Sequence, residues 1–164
     1  MSPCLVSSTS PLGQIEGGTN MIVIEGDQVG QIVLRGAGAG EGPTASAVIS
    51  DVADLARGIR LATFGQPAIT LAKTLSAKSQ TPAPYYLRLL LHDEPGALAK
   101  ITKILSQFNV SIDRMRQYGH QDDNAPVLIV THETKHEDLM RAIQELPSTK
   151  VLKAEPLAIR IETI

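Results

Sequence analysis

At 164 residues the chain is long enough for one ordinary domain or two small ones. A formal net charge of -2 leaves no basic excess for nucleic-acid phosphates, and five aromatic residues, Phe64, Tyr85, Tyr86, Phe108 and Tyr118, give bases little to stack on. No apolar run is long enough to span a bilayer and no export signal is present, so no nucleic acid or membrane is expected as a partner. Cys4, the only cysteine, fits a reducing, cytoplasmic setting.

In chain order, Met1 to Leu12 starts abruptly, and Cys4-Leu5-Val6 reads as the tail of a strand. Met21 to Glu25 and Val29 to Leu34 are β-rich runs separated by Gly26-Asp27-Gln28, which predicts a hairpin. A glycine-rich stretch, Gly36 to Pro43, leads into a helix with Val48, Val52, Leu55 and Ala56 on one side, stopped by Gly58. The glycines at 36, 38, 40 and 42 alternate and never give the GxGxxG spacing, and no GK[ST] follows. Two readings of this loop stay open: it faces a cofactor, or it lets the backbone pass close to a neighbour. Pro67 to Leu75 is a helix candidate, and Ser76 to Pro84 is a polar, proline-bearing linker. Residues 1–75 are therefore expected as a first unit, 76–84 as a linker and 85–164 as a second unit. The first buries a marginal core and needs a partner, a second copy or further chain.

In the second unit Tyr85 to Leu91 is short and apolar, as a strand is. Asp93-Glu94-Pro95-Gly96 then turns into a helix, with Pro95 suited to its first position and the acids to its positive end. Leu98, Ile101, Ile104, Leu105 and Phe108 mark its apolar face, and it ends near Asn109. Because Gly96 has no side chain and first-turn amides lack intrahelical partners, a small carboxylate can approach the backbone here. Val110 to Tyr118 and Pro126 to Thr131 are strands flanking a polar turn at Gln121 to Asn124. Thr134-Lys135-His136-Glu137 is a capping box starting a helix with Leu139, Ile143 and Leu146 on one face, ended by Pro147. Val151 to Ala154 is a short strand, and Leu157, Ile159 and Ile161 alternate in another. Met115 and Met140 read as core or sheet-face filling, and His92 and His120 as solvated loop residues. The order βαββαβ, plus one strand, is the ferredoxin-like arrangement, and the fold class is α+β.

His132-Glu133-Thr134-Lys135-His136 matches the zinc-peptidase pattern HExxH. That chemistry needs both histidines on one helical face, and a helix starting at Thr134 leaves His132 outside it, so no metal is expected.

These residues carry a family resemblance. The second unit resembles an ACT domain through Asp93-Glu94-Pro95-Gly96-Ala97-Leu98, the helix after it and Asn109-Val110-Ser111-Ile112. The first resembles the end of the catalytic and dimerisation domain of homoserine dehydrogenase, through Thr19-Asn20, Gly36 to Gly40 and Pro43-Thr44-Ala45-Ser46-Ala47-Val48. That family interconverts L-homoserine and L-aspartate 4-semialdehyde with NAD(P), in threonine, methionine and isoleucine biosynthesis. Its Rossmann domain and catalytic lysine lie upstream of the matched part. The resemblance thus implies a C-terminal regulatory fragment, with no catalytic residue and no cofactor of its own, inactive alone. Gly38, Ala39 and Gly40 are implied to line the nicotinamide pocket of an intact enzyme. ACT domains pair through their sheets as homodimers or higher homo-oligomers and bind a small amino acid, here implied to be L-threonine, for feedback inhibition. Asp93 takes the effector's amino group, Gly96, Ala97 and Leu98 offer amides to its carboxylate, and Ser111 with Ile112 arrives from the paired subunit. The alternative is a ligand-free ACT-like dimerisation module.

Overall fold

Alternation along Tyr85–His92 builds the second unit: Tyr85, Leu87, Leu89 and Leu91 are buried, while Tyr86 and Leu90 are half-buried and Arg88 is exposed on the opposite face. A computed structural model describes residues 2–62, 64–73, 81–118 and 124–163. Along the chain run β1 (Cys4–Val6), β2 (Thr19–Gly26), β3 (Gly30–Ala37), α1 (Glu41–Ala56), β4 (Tyr85–His92), α2 (Ala97–Gln107), β5 (Ile112–Gln117), β6 (Asn124–Thr131), α3 (His136–Glu145) and β7 (Leu157–Glu162). They form two compact units, Met1–Ser7 with Ala77–Ile164, and Ser8–Ser76. The first seven residues thus belong with the second unit, where the sequence reading had placed 1–75 together.

The larger unit is a five-stranded sheet in the order β1-β7-β4-β6-β5, antiparallel except for the parallel pair β1 and β7. From β4 to β7 this is βαββαβ with β4 and β6 central, the ferredoxin-like arrangement. Leu87 faces Ile129, Leu89 faces Val127 and Leu91 faces Ala125 across the central pair. Ile101 and Leu105 of α2, Leu139 and Ala142 of α3, and Leu146 and Val151 close the same core. Each of these large side chains contributes about 1.5–3 kcal/mol when fully buried. Met115, 45% exposed on the edge strand opposite Ile129, and Met140, 36% exposed, lie outside this core, so of the two expected roles Met115 takes the sheet-face one.

Helix boundaries shift from those read in the sequence, for identifiable reasons. Thr134 does not cap α3. Its amide donates to Ala83 O (3.0 Å), its carbonyl accepts from the Ala83 amide (3.2 Å), and its hydroxyl donates to His132 O (2.9 Å). The residue is consumed by a bridge, so the N-cap falls one residue later, at Lys135, and the helix starts at His136. Pro95 likewise stays outside α2, because Gly96 takes a left-handed turn (φ 87°) at the N-cap. The other end of α2 closes with Asn109 at φ 57°. There Val110 N–H donates to Leu105 O (2.9 Å) and Asn109 N–H to Ser106 O (3.1 Å), a Schellman pair. Val151 to Ala154 reduces to one bridge, Leu91 with Leu152, where His92 N–H donates to Val151 O and Lys153 N–H to Leu90 O, both at 2.8 Å.

The unit Ser8–Ser76 contains the expected hairpin, β2 with β3, closed by Asp27, Gln28 and Val29 between the paired Gly26 and Gly30. Val29 therefore sits in the turn and not in a strand. Helix α1 is terminated just past its C-cap Arg57 by Gly58 (φ 76°), whose N–H donates to Leu55 O (3.0 Å) while Ile59 N–H donates to Asp54 O (2.9 Å). No residue of α1 is buried, and Ile22, Ile24, Ile32 and Leu34 on one face of the hairpin are exposed. The helix expected from Pro67 to Leu75 is only a 3-10 turn at Ala68–Thr70, followed by extended backbone at Leu71. Residues 74 and 75, the linker positions 76–80, His120 and the turn positions 121–123 lie outside the described residues.

Candidate functional site

A concavity on the larger unit lies where β4 gives way to α2. Glu94 N–H donates to His92 O (3.0 Å) and Ala97 N–H to Glu94 O (3.2 Å), so the loop folds back on the strand end before the helix begins. Lys100 Nζ reaches Glu94 Oε1 at 3.0 Å and ties the loop to the helix. A hollow of about 320 Å³ results, at the lower end of the range for small-molecule sites. Leu91, Ala97 and Ala125, all buried, line it on the core side, with Asp93, Glu94, Gly96, Leu98 and Ala99 from the loop and first turn.

Of the residues singled out in the sequence, Asp93, Gly96, Ala97 and Leu98 meet in this hollow. The Ala97 amide, however, is already donated to Glu94 O, so it is not available to an incoming carboxylate. Leu98 and Ala99, in the first turn, have amides with no intrahelical acceptor. A Cβ built at Gly96 would meet nothing within 4 Å, so the space immediately beside it is open.

Gln117 is the residue that sequence reasoning missed. It closes the hollow from β5. The register Met115 with Ile129 and Gln117 with Val127 puts Gln117 on the helix-bearing side of the sheet. Period-two alternation from Ile129 and Val127 was the signal that could have found it.

Ser111 and Ile112 do not join Asp93 within one chain. They line a separate hollow of about 510 Å³ with Thr102, Ser106, Asn109 and Val110, beside the edge strand β5. The Ser111 carbonyl accepts from His132 N–H (2.9 Å). On β5 itself Asp113 accepts a hydrogen bond from Arg114 Nε (2.8 Å), which holds its carboxyl below the ordinary aspartate range.

In the smaller unit Gly38, Ala39 and Gly40 line a wide hollow of about 750 Å³ with Glu41, Thr44, Ala45, Val48 and Ile49. Gly38 N–H donates to Gly18 O (3.0 Å), and a Cβ at Gly38 would lie 2.5 Å from Asn20 Oδ1. Close approach to a neighbour therefore accounts for this glycine. Gly40, at φ 128°, caps α1, and both the amide (3.1 Å) and hydroxyl (2.7 Å) of Thr44 donate to its carbonyl.

The two histidines of the HExxH pattern do not share a helical face, since α3 starts at His136 and His132 precedes it. His136 Nδ1 instead meets the Tyr85 hydroxyl at 3.3 Å. No helix among the described residues is long and apolar enough to cross a membrane.

Two family models match the chain: homoserine dehydrogenase over residues 1–53 and the ACT domain over residues 85–147. The homoserine dehydrogenase of Neisseria gonorrhoeae is 34% identical over 170 residues, covering 99% of this chain and 39% of its own length. That of Helicobacter pylori is 34% identical over 163 residues, with 98% and 38% covered. The crystal structure of a homoserine dehydrogenase from Thiobacillus denitrificans superposes with a TM-score of 0.81 at 30% identity, covering 98% of this chain and 38% of that one. The chain thus spans 38–39% of the length of these relatives. It is related to the homoserine dehydrogenases and carries an ACT domain after the segment that the family model matches.

Proposed function

We propose that this chain is the regulatory part of a homoserine dehydrogenase, whose ACT domain binds an amino-acid effector, L-threonine, and so restrains the enzyme. The observation that carries this reading is the convergence of Asp93, Gly96 and Leu98 on one small hollow backed by buried apolar side chains. A free amino acid needs a carboxylate for its ammonium and helix-start amides for its carboxylate, and Asp93 and the first turn of α2 offer these within one loop. The backbone donors for the carboxylate are Leu98 and Ala99, since the Ala97 amide is engaged. Homodimeric pairing along β5 would bring Ser111 and Ile112 of a second copy toward the hollow, which is why one chain leaves them apart.

For the parent activity, reversible hydride transfer between L-homoserine and L-aspartate 4-semialdehyde, the chain's contribution is the loop Gly38–Gly40. Glu41 stands in the first turn of α1 and opposes a phosphate there, so the loop suits the nicotinamide end of NAD(P) and not its pyrophosphate.

The test is the melting temperature of the full chain with L-threonine and with L-alanine. A shift with threonine that exceeds the one with alanine is expected. Equal shifts, or none at millimolar threonine, favour instead a ligand-free dimerisation module.

A further inference from the structure

The two edges of the five-stranded sheet are built differently. At one edge β5 reads Ile112-Asp113-Arg114-Met115-Arg116-Gln117, with three charged residues, and no described strand lies outside it. Toward the other edge, β7 alternates Leu157, Ile159 and Ile161, a pattern that pairs readily with any extended chain. That strand is not left open. β1 lies along it in parallel, with Cys4, Leu5 and Val6 opposite Arg160, Ile161 and Glu162.

β1 in turn offers little to a further strand. It is three residues long. Very short edge strands are one device by which natural sheets end without inviting another chain.

Backbone alternation assigns the residue that holds it. Ile161 N–H donates to Pro84 O (2.9 Å), on the β4 side of β7. The backbone groups of Arg160 and Glu162 therefore turn toward β1, and Leu5, lying between their partners, turns its own N–H and C=O back toward β7. Cys4 and Val6 direct theirs away. The position of β7 is fixed independently, by its pairing with β4 and by Arg160 Nη1 donating to Thr81 O (2.8 Å).

We infer that Cys4–Val6 is a guard strand: it occupies a sheet edge that would otherwise add a second copy of this chain, β7 against β7. The inference holds whether or not the loop at Asp93 binds an amino acid, and its test does not use a ligand.

The full chain and three variants are compared by light scattering across a range of concentrations. Leu5→Pro removes the N–H that faces β7, and its mass at the highest concentration should be at least about two-fold that of the wild type, as a second isologous contact requires. Cys4→Pro removes an N–H that faces outward and should keep the wild-type mass. Leu5→Pro with Ile161→Lys, which sets a charge on the uncovered strand, should return to it. Should circular dichroism show Leu5→Pro poorly folded, Leu5→Asp, charged beside Ile161 with its N–H intact, replaces it with the same expectation. Wild-type mass for the Leu5 variant at every concentration overturns the inference, as do equal association by Cys4→Pro or failure of Ile161→Lys to reverse it.

Discussion

Gly96 allows the effector reading to be separated from simple destabilisation. Its φ of 87° lies in the left-handed region, and a Cβ there meets nothing within 4 Å, so the cost of a side chain comes from the backbone and not from a clash. Such a residue costs about 1–2 kcal/mol. In a domain of this size that lowers the melting temperature by roughly 4–8 °C for each kcal/mol. Gly96→Ala and Gly96→Leu should therefore lose similar amounts of stability without ligand. Their responses to L-threonine should differ, because only the longer side chain fills the hollow. A ligand present at 100 times its dissociation constant stabilises by about 2.7 kcal/mol, a shift of the same order as the backbone penalty and easily read in a thermal melt. Gly96→Ala should keep a threonine shift from its lowered baseline, and Gly96→Leu should show none. A full threonine shift in Gly96→Leu would refute the placement of the ligand beside Gly96. Unequal baselines would refute the backbone origin of the cost.

Three further outcomes follow from other parts of the chain. Leu87→Ala, at a fully buried position of the central strand, should cost about 2–5 kcal/mol in denaturant unfolding, whereas Val52→Ala on the exposed face of α1 should stay within about 0.5 kcal/mol. Gln117→Ala, at an exposed edge position, should leave the melting temperature of the free chain unchanged and weaken L-threonine binding measured by calorimetry by up to about ten-fold, the worth of one hydrogen bond. Gly38→Ala should destabilise through contact with the Asn20 amide, and Asn20→Ala in the same chain should recover the loss, a coupling that a double-mutant cycle in urea measures.

Local chemistry was readable from the sequence wherever it had no distant competitor. The alternation of Tyr85 to Leu91, the apolar stripe of α2 and the stop at Gly58 each depend on neighbours within a few residues, and the structure places them as expected. Long-range pairing decided the failures. Thr134 has the composition of a helix cap, but the bridge to Ala83 takes its amide and carbonyl. The partners of β1 lie more than 150 residues away, so three residues of strand gave no hint of which sheet they complete. Gln117 is remote in sequence from Asp93 and enters the hollow only through the register of β5 on β6.

The position of the hollow also determines which measurements can report on it. Leu91, Ala97 and Ala125 belong to the continuous core of the larger unit, so a ligand resting on them is coupled to the cooperative unfolding of that unit. A ligand that binds only the folded form then raises its melting temperature by mass action. The hollow at Gly38–Gly40 has no such backing, since α1 beside it buries none of its residues. Binding there would order a loop and one helix face without engaging a core, and would leave the main transition where it was. A threonine-dependent rise in the principal melt therefore locates the effector on the ACT domain, which a binding isotherm alone does not.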